Sequence, residues 1–194
     1  MISFQAKYIT TTTIKDRLNN DVQANFVELD PNSKDDKKVL KKITRSWANE
    51  HRDLIKNNEI ICGESYVANS LYSDFKDAKK RPRGRSFYAL TTQSDSFEKL
   101  NIQDVVGLTE VERKFVGEYE INYLQTKPNC TRLISNKPYS KVGKNLLKCI
   151  EEVLPFRTIE VAPILEISEF YENNGYKCNP TTLQLIRKKL DTKI

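Results

Sequence analysis

The stretch EYEINYLQTKPNCTRLISNKPYSKVGKNLLKCIEEVL, residues 118–154, decides the fold. Its first part, EYEINYLQT (118–126), sets Tyr119, Ile121 and Tyr123 at alternate positions and reads as a strand. Its last part reads as a helix from about Val142 to Leu154. There Leu146, Leu147, Ile150, Val153 and Leu154 form an apolar stripe opposite Lys144, Lys148, Glu151 and Glu152. Between them lies a long polar loop that ends in PYSKVGKNLL (138–147), whose single glycine is Gly143. Two readings of that junction compete: a plain turn into a core helix, or a loop whose backbone N–H groups hold a phosphate.

Working outward, SFYALTTQ (86–93) and DVVGLTEVE (104–112) are strands. Their short polar connections, to each other and on to 118–126, predict an antiparallel meander. Downstream, RTIEVAP reads as a strand, EISEFYENN as a short helix stopped by Gly175, and TLQLIRKK as a closing strand. Upstream, ISFQAKYIT and NFVELDP are extended, and DPNSKDD starts a helix. Asp30 or Ser33 can cap it, and Asp35 and Asp36 favour its first turn. Val39, Leu40, Ile43, Trp47, Leu54 and Ile55 then predict one or two amphipathic helices over about 34–58, and VANSLYSDFKDA a further short one. The expectation is one α/β (α+β) domain over 1–194, with a mixed, mostly antiparallel sheet flanked by helices.

Composition narrows the function classes. At 38% apolar residues the chain can fill a core, and no apolar run reaches the roughly 20 residues a membrane span requires. MISFQAKYIT lacks the basic start and apolar centre of a signal peptide, so a cytoplasmic protein without membrane partners is expected. The four cysteines, Cys62, Cys130, Cys149 and Cys178, are widely spaced and read as free thiols. With one histidine, His51, in a charged helical stretch, no metal site is expected and a His-based nucleophilic site has little to stand on. The net charge of +6 suggests affinity for anions: nucleic acid, an acidic protein surface or a phosphorylated cofactor.

Two motifs, in order and one strand apart, give the chain a direction. YSKVGKNLL resembles the pyrophosphate loop and following helix of the GNAT superfamily of acyl-CoA-dependent N-acyltransferases, and EFYENNGYK resembles that family's FY-x-x-x-G-[FY] signature. The resemblance covers about residues 86–190. It implies a GNAT-like single domain, acetyl-CoA as co-substrate, and direct attack of an amine on the thioester. The amine is unspecified by the resemblance, which admits a small molecule, a protein or tRNA, and it includes a homodimer among the oligomeric states.

The resemblance also assigns residues. Ser140, Lys141, Val142, Gly143, Lys144 and Asn145 would hold the diphosphate, since a helix start offers unpaired N–H groups and the positive end of the dipole. Gly143 matches the second Gly/Ala of the family pattern. Lys141 stands where the first glycine is usual and Pro138 where Gln or Arg is usual. The Cβ of Lys141 either crowds the phosphate or its ammonium compensates with charge. Leu124, Gln125 and Thr126 would meet the pantetheine arm along an open strand edge. Tyr171 would protonate the departing thiolate, with its neighbour Phe170 in the core. For the base that takes the amine proton, Glu118 and Glu120 share one strand face, and Glu110 and Glu112 do likewise one strand earlier; Glu120 is chosen. Taken singly, each of these carboxylates is expected to face solvent. Arg132 and Lys137 are expected to be solvated loop residues.

KDAKKRPRGR (76–85) carries six basic residues and one acid, and its Pro and Gly exclude a continuous helix. It is expected to be an exposed loop. The alternative to an enzyme is therefore a degenerate acyltransferase fold that binds nucleic acid or a protein through its basic surface, a reading favoured by Lys141.

Overall fold

The structure is a computed structural model that describes residues 6–59, 68–78, 84–95, 97, 100–131, 134–162, 167–180 and 184–188. Two hairpin strands, β1 (Lys7–Asp16) and β2 (Asp21–Leu29), lead into helices α1 (Lys34–Lys56) and α2 (Ala68–Ala78). The meander follows as β3 (Arg85–Thr91), β4 (Val105–Phe115) and β5 (Glu118–Thr126). A 3₁₀ turn at Pro128–Cys130 and the two-residue β6 (Tyr139–Ser140) precede α3 (Val142–Val153). The chain then forms β7 (Thr158–Val161), α4 (Ser168–Glu172), β8 (Lys177–Cys178) and β9 (Leu185–Lys188).

The described strands form one sheet in the order β6-β1-β2-β3-β4-β5-β7-β9-β8. Every pairing is antiparallel except β5 with β7, which α3 connects as a crossover. This is the mixed, mostly antiparallel α/β architecture that the strand and helix patterns predict. The two-residue strands β6 and β8 are additions: they are too short to leave a periodicity.

Local chemistry explains the elements. Ser33 caps α1, its Oγ accepting from Asp36 N–H at 3.1 Å, while the Asp36 carboxylate accepts from Asp30 N–H at 2.8 Å. Burial pushes that carboxyl up to about 6. Of the two capping candidates Ser33 takes the role, and 34–56 is a single helix. Its Leu40, Ile43 and Trp47 pack with Phe75 of α2 and Phe87, Ala89 and Leu108 of the sheet. On the opposite face Leu146, Leu147 and Ile150 of α3 pack on Phe26, Leu90, Val106, Ile121 and Ile159. The sheet is thus covered on both sides, α1 and α2 on one and α3 and α4 on the other. Gly107 of β4 lets α3 lie close, since a Cβ there would stand 3.3 Å from Leu146 Cδ2.

Candidate functional site

The centre of interest is β5, which changes partners along its length. β7 pairs with it only from Glu118↔Thr158 to Ile121↔Val161. At that point the register with β4 shifts between Glu110/Val111, opposite Tyr123 and Ile121, which leaves Asn122 as an extra, bulged residue. A bulge sharpens twist and ends or redirects pairing. β5 therefore runs on to Thr126 beside β4 alone, and among the described residues no strand pairs with its other edge. Lys127 N–H donates to Val106 O of β4 at 2.8 Å. By strand alternation the backbone of Gln125 also faces β4, while Leu124 and Thr126 turn their N–H and C=O toward the open side. Of the three residues assigned to an open edge, two lie on it and Gln125 belongs to the β4 ladder.

The start of α3 lies against this open end. A Cβ built at Gly143 would stand 3.2 Å from Phe170 Cζ and 3.6 Å from Thr126 Cγ2, so β5, α3 and α4 converge there. No side chain caps the helix. Asn145 N–H makes the first helical bond, to Lys141 O at 3.0 Å, leaving the N–H groups of Val142, Gly143 and Lys144 ahead of it. Asn145 is committed elsewhere: its Nδ2 donates to Lys141 O at 3.0 Å and its Oδ1 accepts from Thr12 Oγ1 at 2.9 Å. Ser140 is held in β6 opposite Lys15, and Val142 is buried in the core, so only its backbone is available. Lys141 and Lys144 are exposed.

Lys141 adopts φ 62°, ψ 11°, the left-handed region. The backbone there needs what a glycine supplies, and a lysine holds it at a cost of about 1 kcal/mol. Lys141→Gly is expected to raise the melting temperature by roughly 2–4 °C, read by thermal denaturation. An unchanged or lower melting point would mean that the lysine side chain repays its strain.

On α4 both rings pack against the core, and Tyr171 rather than Phe170 is the more deeply buried. Tyr171 is 3% exposed and packs edge-to-face on Phe170 (5.0 Å) and Tyr176 (5.6 Å). Phe170 is only half-buried and borders Gly143. A five-residue helix has room for one fully buried face, and Tyr171 occupies it. Loss of hydration pushes its phenol well above the usual tyrosine range, so it remains an O–H donor at neutral pH.

Across the sheet, on the α2 side, a cleft of about 380 Å³ opens beside the bulge. Asp74, Arg85, Glu112, Lys114, Glu120, Asn122, Tyr123 and Ala162 line it, Ala162 being the residue that follows β7. Arg85 Nη1 lies 3.5 Å from Asp74 and 3.4 Å from Glu110, and its Nε lies 3.5 Å from Glu112. Lys114 Nζ lies 2.6 Å from Glu120 and 3.6 Å from Glu112. Asn122 Nδ2 donates to Glu110 Oε1 at 3.0 Å and Glu112 Oε2 at 3.2 Å.

These positions correct the expectation of solvated carboxylates. Glu118 is exposed, but Glu110 is 0% exposed and the side chains of Glu112 and Glu120 only 14% and 19%. Burial, opposed by the Asn122 hydrogen bond, pushes the Glu110 carboxyl up to about 7. Glu120, the chosen base, instead engages Lys114, and this hydrogen bond holds the Lys114 ammonium above its ordinary value. Sequence pattern placed Glu110 on a strand face without revealing that α2 covers it. Arg85, the last member of the basic run, is likewise no solvated cation but the hub of this cluster. Residues 79–83 of that run, Arg132 and Cys62 lie outside the described residues.

Other candidates recede. His51 is half-buried on α1 rather than solvated, and Lys137 is half-buried too. Cys130 and Cys149 are buried free thiols, pushed by burial up to about 11 and about 12, which leaves them protonated and unreactive. Among the described residues no group of His, Cys, Asp and Glu is placed to hold a metal ion, and no helix is long and apolar enough to cross a membrane.

No family model and no curated protein matches the chain. Among solved structures it is similar to a GNAT-family acetyltransferase of Staphylococcus aureus Mu50, at 18% identity and a TM-score of 0.49, over 85% of this chain and 98% of that one. It is also similar to an acetyltransferase of Streptococcus agalactiae 2603, at 13% identity and a TM-score of 0.42, over 84% of this chain and 95% of that one. At these identities the similarity is one of chain path.

Proposed function

We propose that the protein is an acyl-CoA-dependent N-acyltransferase that moves an acetyl group from acetyl-CoA to an amine. The observation that carries this reading is the parting of β5 from β7 at the Asn122 bulge, with the uncapped start of α3 beside the open strand end. An open edge offers amide partners to an extended arm, and a helix start offers N–H groups to a diphosphate. Here Leu124 and Thr126 supply the first, and Val142, Gly143 and Lys144 the second, with Lys141 and Lys144 adding positive charge.

In the reaction the amine nitrogen forms a bond to the thioester carbon, and the carbon–sulfur bond breaks. The thiolate takes a proton, and the amine gives one up. Tyr171, one residue beyond Phe170 at the helix start, is assigned the donor role. For the acceptor, Glu120 stands on the cleft wall, while Glu110 beneath it has its proton affinity nearest neutral pH, where a base works best. The competing reading, a degenerate binding module, was favoured by Lys141. Because Lys141 keeps the left-handed backbone of a glycine, that ground is weakened.

Calorimetry with acetyl-CoA tests the reading: saturable binding is expected, and none up to millimolar concentration would overturn it. Tyr171→Phe keeps the ring packing. It is expected to lower turnover about a hundredfold with acetyl-CoA affinity unchanged. Turnover equal to wild type would remove Tyr171 from the reaction. We place the enzyme in the cytoplasm, without a metal.

A further inference from the structure

We propose that the α2-side cleft is the acceptor site and that it takes a cationic amine, an alkylammonium on a flexible chain, rather than a polyanion. The assignment of the cleft to the acceptor rests on the acyltransferase reading; its preference for cations rests on the cleft alone. The chain as a whole carries +6, yet among the described residues three carboxylates, Asp74, Glu112 and Glu120, line this cleft and a fourth, Glu110, lies beneath it 3.4 Å from Arg85, against two cations, Arg85 and Lys114. A patch of negative sign on a positive protein is where a cation is drawn and a phosphate backbone repelled.

The cluster is also incompletely satisfied. Among the described residues, buried Glu110 Oε2 has no hydrogen-bond partner, and buried Arg85 Nε has only the 3.5 Å ion pair to Glu112 Oε2. Arg85 is spread over three carboxylates at 3.4–3.5 Å, with no close bidentate pair. Buried polar groups are almost always paired, and exceptions gather at binding sites. Lys114 reaches Glu120 from its own neighbouring strand and acts as an internal stand-in for a ligand ammonium. The cleft volume suits a small molecule or one side chain. Its position matters as well. Glu120, Asn122 and Tyr123 line the cleft from the segment of β5 where β7 departs, so an amine held there meets an acyl group laid along the other side of the split.

The charge of Glu110 sets a pH signature. It is faced by Asp74 of α2, Arg85 of β3, Glu112 of its own strand, and Asn122 and Tyr123 of β5. With its carboxyl near 7, Glu110 is mostly neutral at pH 6 and mostly charged at pH 8. Cation affinity therefore rises over that interval.

The experiment is a calorimetric titration of spermidine into the full chain at pH 8 and low salt. A parallel arm uses a lysine peptide with a blocked N-terminus, to separate free polyamine from protein side chain. Saturable binding of at least one is expected. Glu110→Gln should weaken it about tenfold and Glu120→Gln severalfold; Lys114→Ala should strengthen it, and Asp53→Asn, remote on α1, should leave it unchanged. From pH 6 to 8 the wild type should gain about fivefold and Glu110→Gln should not. Melting curves at pH 8 verify that each variant is folded, and Glu120→Gln, on the cleft wall, serves if Glu110→Gln is not. Equal affinity in the wild type and both glutamine variants, or absence of saturable binding of either amine, would overturn the proposal. Acetyl-CoA binding without amine binding rejects this inference and leaves the acyltransferase reading standing. Amine binding without acetyl-CoA binding does the reverse, and leaves a cation site.

Discussion

Glu110→Gln is expected to be more stable than the wild type at pH 8 by about 3 kcal/mol, and equal to it near pH 4. The unfolded chain holds this carboxyl at its ordinary 4.5, and the folded chain holds it at about 7. Between those values the folded state binds the extra proton, so wild-type stability falls as pH rises through this window and levels off above it. A gap of this size is worth about 3 kcal/mol. Glutamine keeps the acceptor for Asn122 and removes the charge, while Arg85 retains Asp74 and Glu112. Urea denaturation of both proteins from pH 4 to 8 reads the difference, and the contribution of Asp36, pushed up to about 6, cancels between them. Parallel curves would show that Glu110 carries no buried charge at pH 8. The same substitution is expected to lower acyl transfer at pH 8 at least tenfold. A buried carboxylate kept at such a cost in stability is what a working site retains.

Gly143→Leu is expected to abolish saturable acetyl-CoA binding below millimolar concentration while leaving the melting temperature within a few degrees. At this position even a Cβ comes within 3.2 Å of Phe170 and 3.6 Å of Thr126. A leucine side chain fills the space between the helix start, the end of β5 and α4, where a diphosphate would approach the N–H groups. The fold tolerates it, because Phe170 is half-buried and can yield, and leucine is the better helix former. Gly143→Ala should be intermediate, and Lys144→Ala should cost about tenfold through lost charge. Calorimetry decides: wild-type affinity in Gly143→Leu would place the diphosphate elsewhere. Together with Lys141→Gly, which adds stability two residues earlier, the pair separates backbone strain from ligand access.

How far the residues alone reached can be traced position by position. Tyr119, Ile121 and Tyr123 at alternate places, and the stripe from Leu146 to Leu154, announce the strand and helix through simple periodicity. Both elements are long enough for the pattern to rise above chance, as are β3, β4 and α1. Ser33 and Asp36 announce the start of α1 because a cap is local chemistry. By contrast, β6 and β8 exist only because another strand lies beside them. The same division runs through the site. Gly143 was legible, because a glycine before an amphipathic helix has a local meaning. The deeper burial of Tyr171 than of Phe170 was not, because a dipeptide does not say which ring turns inward.

The sequence by itself determined the mixed α/β class, the order of the long elements and the loop–helix junction at 138–147. These follow from hydrophobic period and turn chemistry within a few residues of each position. Tertiary structure alone decided that β5 bulges at Asn122 against β4 and parts from β7, forty residues on, after Ile121, since strand register is a relation between segments and not a property of one. It also decided that Glu110 is buried beside Arg85 while Glu120 pairs with Lys114. The charge state of a carboxyl depends on desolvation and on neighbours from α2, β3 and β5, and no local pattern encodes that sum.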